Sequence, residues 1–173
     1  TGKWEAGLKY LFPLFAFALG VLIAEQIQHK YKYAKRLHWR QGILGAEIII
    51  LFIVGFIPQR GNMIATVLVS FACAMQVQSF RKVNGFSYAS TMCIGNLRSG
   101  TAALSFYLRE RRPEQLRQAM YYLGIIVLFA IGAGIGGNLS ANYGIHMIWV
   151  SCGLLIVSFL LMFLDIEARR SRA

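Results

Sequence analysis

Apolar residues run along this chain in long blocks separated by short polar and basic clusters, and the blocks are too uniform for the half-buried helices or strands of a soluble domain. A spanning helix needs about 20 mostly apolar residues, since each adds ~1.5 Å across a ~30 Å hydrocarbon core. Five blocks meet or approach that length: residues 8–27, 42–57, 63–80, 119–139 and 145–164. The pattern predicts an all-α polytopic membrane helix bundle of about five spans, forming a single transmembrane domain over residues 1–173. The first block leads into a chain that keeps returning to the bilayer, so it reads as a span and not as a cleavable leader.

One stretch does not fit. "TMCIGNLRSGTAALSF", residues 91–106, is too polar for a lipid-facing span and too apolar for an ordinary loop. Charge constrains it. Basic residues crowd the segments after the first span (Lys30, Lys32, Lys35, Arg36, Arg40), after the third (Arg81, Lys82, Arg98, Arg109, Arg111, Arg112, Arg117) and in the tail (Arg169, Arg170, Arg172), against Lys3, Lys9 and Arg60 on the opposite side. The positive-inside rule puts the C-terminus in the cytoplasm and Thr1 outside. A full crossing between residues 87 and 108 would carry the Arg109–Arg117 cluster to the wrong side, so this interval is expected to be re-entrant or interfacial.

Composition agrees. The chain is 57% hydrophobic and only 14% charged, where soluble domains carry about 25% charged residues. The mean hydropathy is +0.53. The net charge of +11 would suggest nucleic acid if it lay on one face, but here it falls between apolar blocks, so the lipid bilayer is the expected partner and nucleic acid is not. Cys73, Cys93 and Cys152 lie far apart with no ligand spacing, which points to reduced packing residues, without a disulfide framework or a metal site. No cofactor motif is visible.

Displacing the chain by 112 positions lays "YLFPLFAFALGVLI" over "YLGIIVLFAIGAGI", with six identities in 14 positions. The first copy runs outside to inside and the second, three spans later, inside to outside. Inverted units of three spans are a recurring plan of secondary transporters, with the site near the midplane where broken helices meet. The chain is therefore expected to be part of a six-helix, three-plus-three inverted repeat. A bundle of similar apolar helices is the simpler reading.

Several residues could carry chemistry. Gly95 and Gly100 permit unusual backbone angles, and Thr91, Asn96, Ser99 and Thr101 can satisfy backbone groups freed at a helix break. Arg98 can meet an anionic solute or reach phosphate headgroups. The competing reading of the stretch is a cytoplasmic linker. On the third span, Thr66, Ser70 and Cys73 share a helical stripe flanked by Gln76 and Gln78, expected to face the bundle. Gln76, Thr91, Gly95, Asn96, Arg98 and Thr101 are the candidate substrate-binding set. Glu47 is a possible proton-linked acid if it lies embedded in the bundle, and a paired interfacial carboxylate if it lies near the basic loop. Glu25 beside that loop reads as structural. Gly132 and Gly136 have the spacing that brings membrane helices close. His29, His38 and His146 read as interfacial, and Trp4, Tyr10, Trp39 and Trp149 as anchors at span ends. No triad, Walker loop or H-E-x-x-H is present, so an enzyme is not expected.

The segments "TGKWEAGLKYLFPLFAFALGVLIAE", "ATVLVSFACAMQVQSFRKVNG" and "STMCIGNLRSG" resemble the YoaK family, small bacterial inner-membrane proteins usually described as six-helical and of unknown function. The resemblance covers essentially the whole chain. It implies a bacterial inner (plasma) membrane location, and that the family's usual N-terminal span, with its own Thr-Gly-Asn segment, has no counterpart ahead of Thr1. It brings no substrate or catalytic residue. The expected function is a transporter or channel for an unidentified small solute. The alternative is a non-transporting scaffold, packed as a homo-oligomer or with a partner subunit.

Overall fold

The computed structural model describes residues 3–31, 39–83, 86–87 and 93–170. Among them are six α-helices: α1 (Lys3–Tyr31), α2 (Trp39–Val54), α3 (Asn62–Ser79), α4 (Cys93–Glu110), α5 (Pro113–Tyr143) and α6 (Ile148–Arg170). Single 3₁₀ turns, Gln59–Gly61 and Gly144–Met147, lead into α3 and α6. Two short strands, β1 (Lys82–Val83) and β2 (Phe86–Ser87), pair antiparallel with Lys82 opposite Ser87. Three stretches are long and apolar enough to cross a membrane: Lys9–Tyr31, Asn62–Ser79, and Pro113–Leu164, which holds α5 and most of α6. The protein is an all-α membrane helix bundle.

The chain forms two compact units. The first comprises Thr1–Ser79 and Tyr143–Ala173. Within it α3 packs against α1 and α2, and α2 also meets α6. The α1–α3 crossing is close because Gly20 has no side chain: a Cβ there would lie 2.6 Å from the Phe71 carbonyl oxygen and 2.8 Å from the Ala74 Cβ. Two apolar clusters follow. Ala24, Trp39, Ile43 and Met75 join α1, α2 and α3, while Leu51, Ala72 and Cys152 join α2, α3 and α6. At the far end of α3, Arg40 Nε donates to the Ser79 carbonyl at 3.2 Å, using a group otherwise orphaned at the helix terminus, and Ser79 Oγ donates back to the Met75 carbonyl at 2.7 Å. Gln78 Nε2 donates to the Glu25 carboxylate across α1 and α3.

Helix α2 ends at Val54, short of the expected residue 57. Pro58 cannot continue a helix, and the last turn tightens through bonds from Phe56 N to Ile53 O and Ile57 N to Val54 O, both 3.0 Å. In α1, Pro13 lies inside the helix and has no N–H for the Lys9 carbonyl. A groove of about 420 Å³ lies beside it, lined by Lys9, Tyr10, Pro13, Asn62, Met63 and Thr66.

The second unit is Phe80–Asn142. Here α4 turns into α5 through Arg111, whose φ of 55° is left-handed and whose N–H closes on the Tyr107 carbonyl at 2.8 Å. This is a helix C-terminal cap made without glycine. Pro113 then occupies the first position of α5, where a missing N–H costs nothing. Helix α4 lies on α5 at Gly100, where a Cβ would stand 3.0 Å from the Tyr122 Cβ. Past Tyr122, no residue of α5 is buried.

Candidate functional site

The stretch expected to break is one continuous helix from Cys93 to Glu110. Its glycines are tolerated inside the helix, and Gly100 serves a close approach to α5. Asn96, Gly100 and Ala103 are its buried residues, spaced four and three apart and so on one face. Gly95, Arg98 and Thr101 are exposed. Asn96 is therefore turned away from the other candidates on its own helix. Thr91 lies outside the described residues. Gln76 sits half-buried on α3, in the first unit.

Of the polar stripe expected on α3, Ser70, Cys73, Gln76 and Gln78 are half-buried and Thr66 is exposed. The buried residues there are Ala65, Ala72, Ala74, Met75 and Ser79, because close helix approach selects small side chains. Thr66 is exposed, and its hydroxyl donates back to the Asn62 carbonyl at 2.8 Å. A Cβ added at Gly132 or Gly136 would meet nothing within 4 Å, so the small-residue spacing on α5 joins no helix among the described residues.

Glu47 stands out instead. It is 3% exposed and lies on the interior stripe of α2, one turn from Ile43 in the first apolar cluster and one turn from Leu51 in the second. No ion pair to Glu47 forms among the described residues. Oε2 of Glu47 is buried without a hydrogen-bond partner among the described residues. Among the described basic residues, Arg40, two turns away on α2, is held by Ser79. A carboxyl group taken out of water without compensation costs several kcal/mol, so its retention inside the bundle is not explained by packing.

The same seam contains groups that the residue pattern did not single out. From α6, Cys152 is 4% exposed with Sγ 4.0 Å from the Ile48 carbonyl, next in sequence to Glu47. One turn along α6, Trp149 Nε1 donates to the Phe52 carbonyl at 3.4 Å. Its ring lies 5.2 Å from Phe56, 6.3 Å from Phe52 and 5.3 Å from His146. Gly55 makes room for the indole, since a Cβ there would overlap it. Trp149 reads in the sequence as a lipid-interface anchor, and a tryptophan near a span end carries no signal that distinguishes the two roles. Gln41 is likewise 3% exposed, with Nε2 unpartnered among the described residues. No group of three His, Cys, Asp or Glu side chains that could hold a metal is found among the described residues.

Compared with known proteins, the chain matches the family described as "Protein of unknown function (DUF1275)" over residues 1–161. The chain belongs to that family. No curated protein and no solved structure matches it.

Proposed function

We propose, with membership of this family as the premise, that the protein is a transporter or channel for a small solute in a bacterial inner membrane, with its C-terminus cytoplasmic and Glu47 as its proton-linked acid. The observation that carries this reading is the buried carboxyl on α2, whose Oε2 has no hydrogen-bond partner among the described residues. An ionisable residue inside a membrane bundle costs on the order of 3 kcal/mol on insertion scales and marks an ion or substrate pathway by default.

The sequence displacement that suggests an inverted repeat supports it. The displacement of 112 positions that aligns the two motifs carries Tyr31, the end of α1, onto Tyr143, the end of α5. It also relates α2 to α6, and these two helices are in contact, as helices beside an axis of pseudo-symmetry would be. The resemblance to the YoaK proteins supports the bacterial inner membrane.

The test is flux in proteoliposomes across a broad panel of small solutes, with an internal pH indicator. The expected result is uptake by the wild-type protein that responds to a pH gradient and is lost in Glu47→Gln. A folded wild-type protein that moves no solute, and that co-purifies with a stoichiometric partner, would replace this reading with the scaffold.

A further inference from the structure

We infer that the seam between α2 and α6 is the access route to Glu47 for a small monovalent cation, the proton included, and that Trp149 stoppers it. This deepens the transporter reading, on which it rests, by giving the coupling site a ligand class and a gate. The groups along the seam come in a chemically ordered series. At its mouth lie Trp149, Phe52 and Phe56, with ring centroids 5.2–6.3 Å apart. Cys152 lies three residues further along α6, roughly 4.5 Å in rise. Glu47 follows, five residues from Phe52 along α2, or about 7.5 Å. Aromatic faces attract cations, and the series ends on a carboxyl oxygen with no partner among the described residues.

Among the described residues, no group packed near Glu47 forms an ion pair with it. From α6 the titratable side chain that meets α2 beside Glu47 is the Cys152 thiol, its Sγ 4.0 Å from the Ile48 carbonyl. From α3 the buried neighbours of the two apolar clusters are Ala72 and Met75, which carry no charge. On α2 itself Arg40 is bonded to Ser79, and His146 lies at the mouth against Trp149. One carboxylate with no ion pair among the described residues suits one positive charge. The tight packing of Leu51 and Cys152 beside it, 8% and 4% exposed, restricts that charge to a small carrier.

The stopper is specific in its geometry. Trp149 is bonded to an α2 carbonyl and lies over Gly55, so opening the mouth requires the indole to leave a glycine-shaped recess and give up its ring contacts. A lipid anchor would need neither the recess nor the bond.

Cys152 makes this testable without a transport assay. In a Cys73→Ser, Cys93→Ser background the reaction rate of Cys152 is measured in reconstituted protein at fixed pH with two methanethiosulfonates of similar size, one bearing ethylammonium and one ethylsulfonate. Wild-type protein is expected to react slowly and to prefer the cationic reagent. Trp149→Ala should raise the rate about two- to tenfold, the factor opened by losing one aromatic pair, and Trp149→Phe should restore most of the protection. Glu47→Gln should bring the two reagents to equal rates. Replacing choline with sodium or potassium should slow labelling if a metal cation occupies the seam, and leave it unchanged if the proton alone does. An unchanged Cys152 rate in a monodisperse Trp149→Ala protein removes the stopper. A charge preference that survives Glu47→Gln removes the cation route. Absence of flux with this labelling pattern intact would refute the transporter reading alone.

Discussion

Gly20 and Gly132 fall on one another when the sequence is displaced by 112 positions, yet their surroundings differ, so the same substitution should act with opposite sign. At Gly20 a methyl group would be placed 2.6 Å from the Phe71 carbonyl oxygen and 2.8 Å from the Ala74 Cβ, where ordinary contact begins at 3.4 Å. The obstacle is backbone on one side and a Cβ on the other, and neither can rotate away. Helices α1 and α3 would have to part by most of an ångström. Overpacking of this kind costs about 1–3 kcal/mol, offset by up to ~1 kcal/mol from alanine's better helix propensity. The net loss in Gly20→Ala is then ~1–2 kcal/mol, roughly a five- to thirtyfold shift in the folding equilibrium. At Gly132 nothing lies within 4 Å, so Gly132→Ala should be neutral or stabilising by up to ~1 kcal/mol. The assay is unfolding by sodium dodecyl sulfate in mixed micelles, followed by far-ultraviolet circular dichroism, with both variants and the wild type in parallel. A Gly20→Ala protein as stable as the wild type would refute the close α1–α3 crossing. A Gly132→Ala loss equal to that of Gly20→Ala would mean that α5 uses its glycine face in a contact after all.

Three further outcomes follow from the same geometry. Glu47→Leu should raise resistance to unfolding by ~1–3 kcal/mol, because an uncompensated polar group is replaced by an apolar one of similar volume, while solute uptake is lost; a loss of stability would show that the carboxyl is bonded inside the bundle. Arg111→Gly should stabilise the α4–α5 turn by about 1 kcal/mol by relieving the left-handed strain, seen as slower amide exchange over residues 107–115, and unchanged exchange would count against the strained cap. Arg40→Gln should remove the bond to the Ser79 carbonyl, costing ~0.5–1.5 kcal/mol, with faster amide exchange confined to the last turn of α3 and the first turn of α2.

What the residue pattern determined by itself is the class of fold. Spanning helices are governed by a one-dimensional rule, length of apolar run against bilayer thickness, and each backbone is satisfied within its own segment. For that reason α1, α3, α5 and α6 are legible without any knowledge of their neighbours. A local signal for the hairpin is present too, although apolar periodicity does not reveal it: β1 and β2 flank Asn84-Gly85, the dipeptide most favoured for a two-residue turn. Residues that could be functional were also visible as types, Glu47 among them.

Which faces those residues occupy was decided only by tertiary packing. A helix that is apolar all round carries no periodic signal of its buried side, so nothing in the sequence says that Gly20 meets α3 while Gly132 meets no neighbour among the described residues, or that α3 buries alanines and leaves Thr66 outside. The glycine-rich stretch looked like a break because glycine and small polar residues permit one. In the fold it is helix α4, and Gly100 within it stands close against Tyr122. Glu47 could be placed within a helix but not toward an interior, since burial depends on α3 and α6 arriving from elsewhere in the chain. Trp149 meets Gly55 and Phe52 across some 95 residues of sequence, and a contact of that range leaves no mark on the local pattern of either partner.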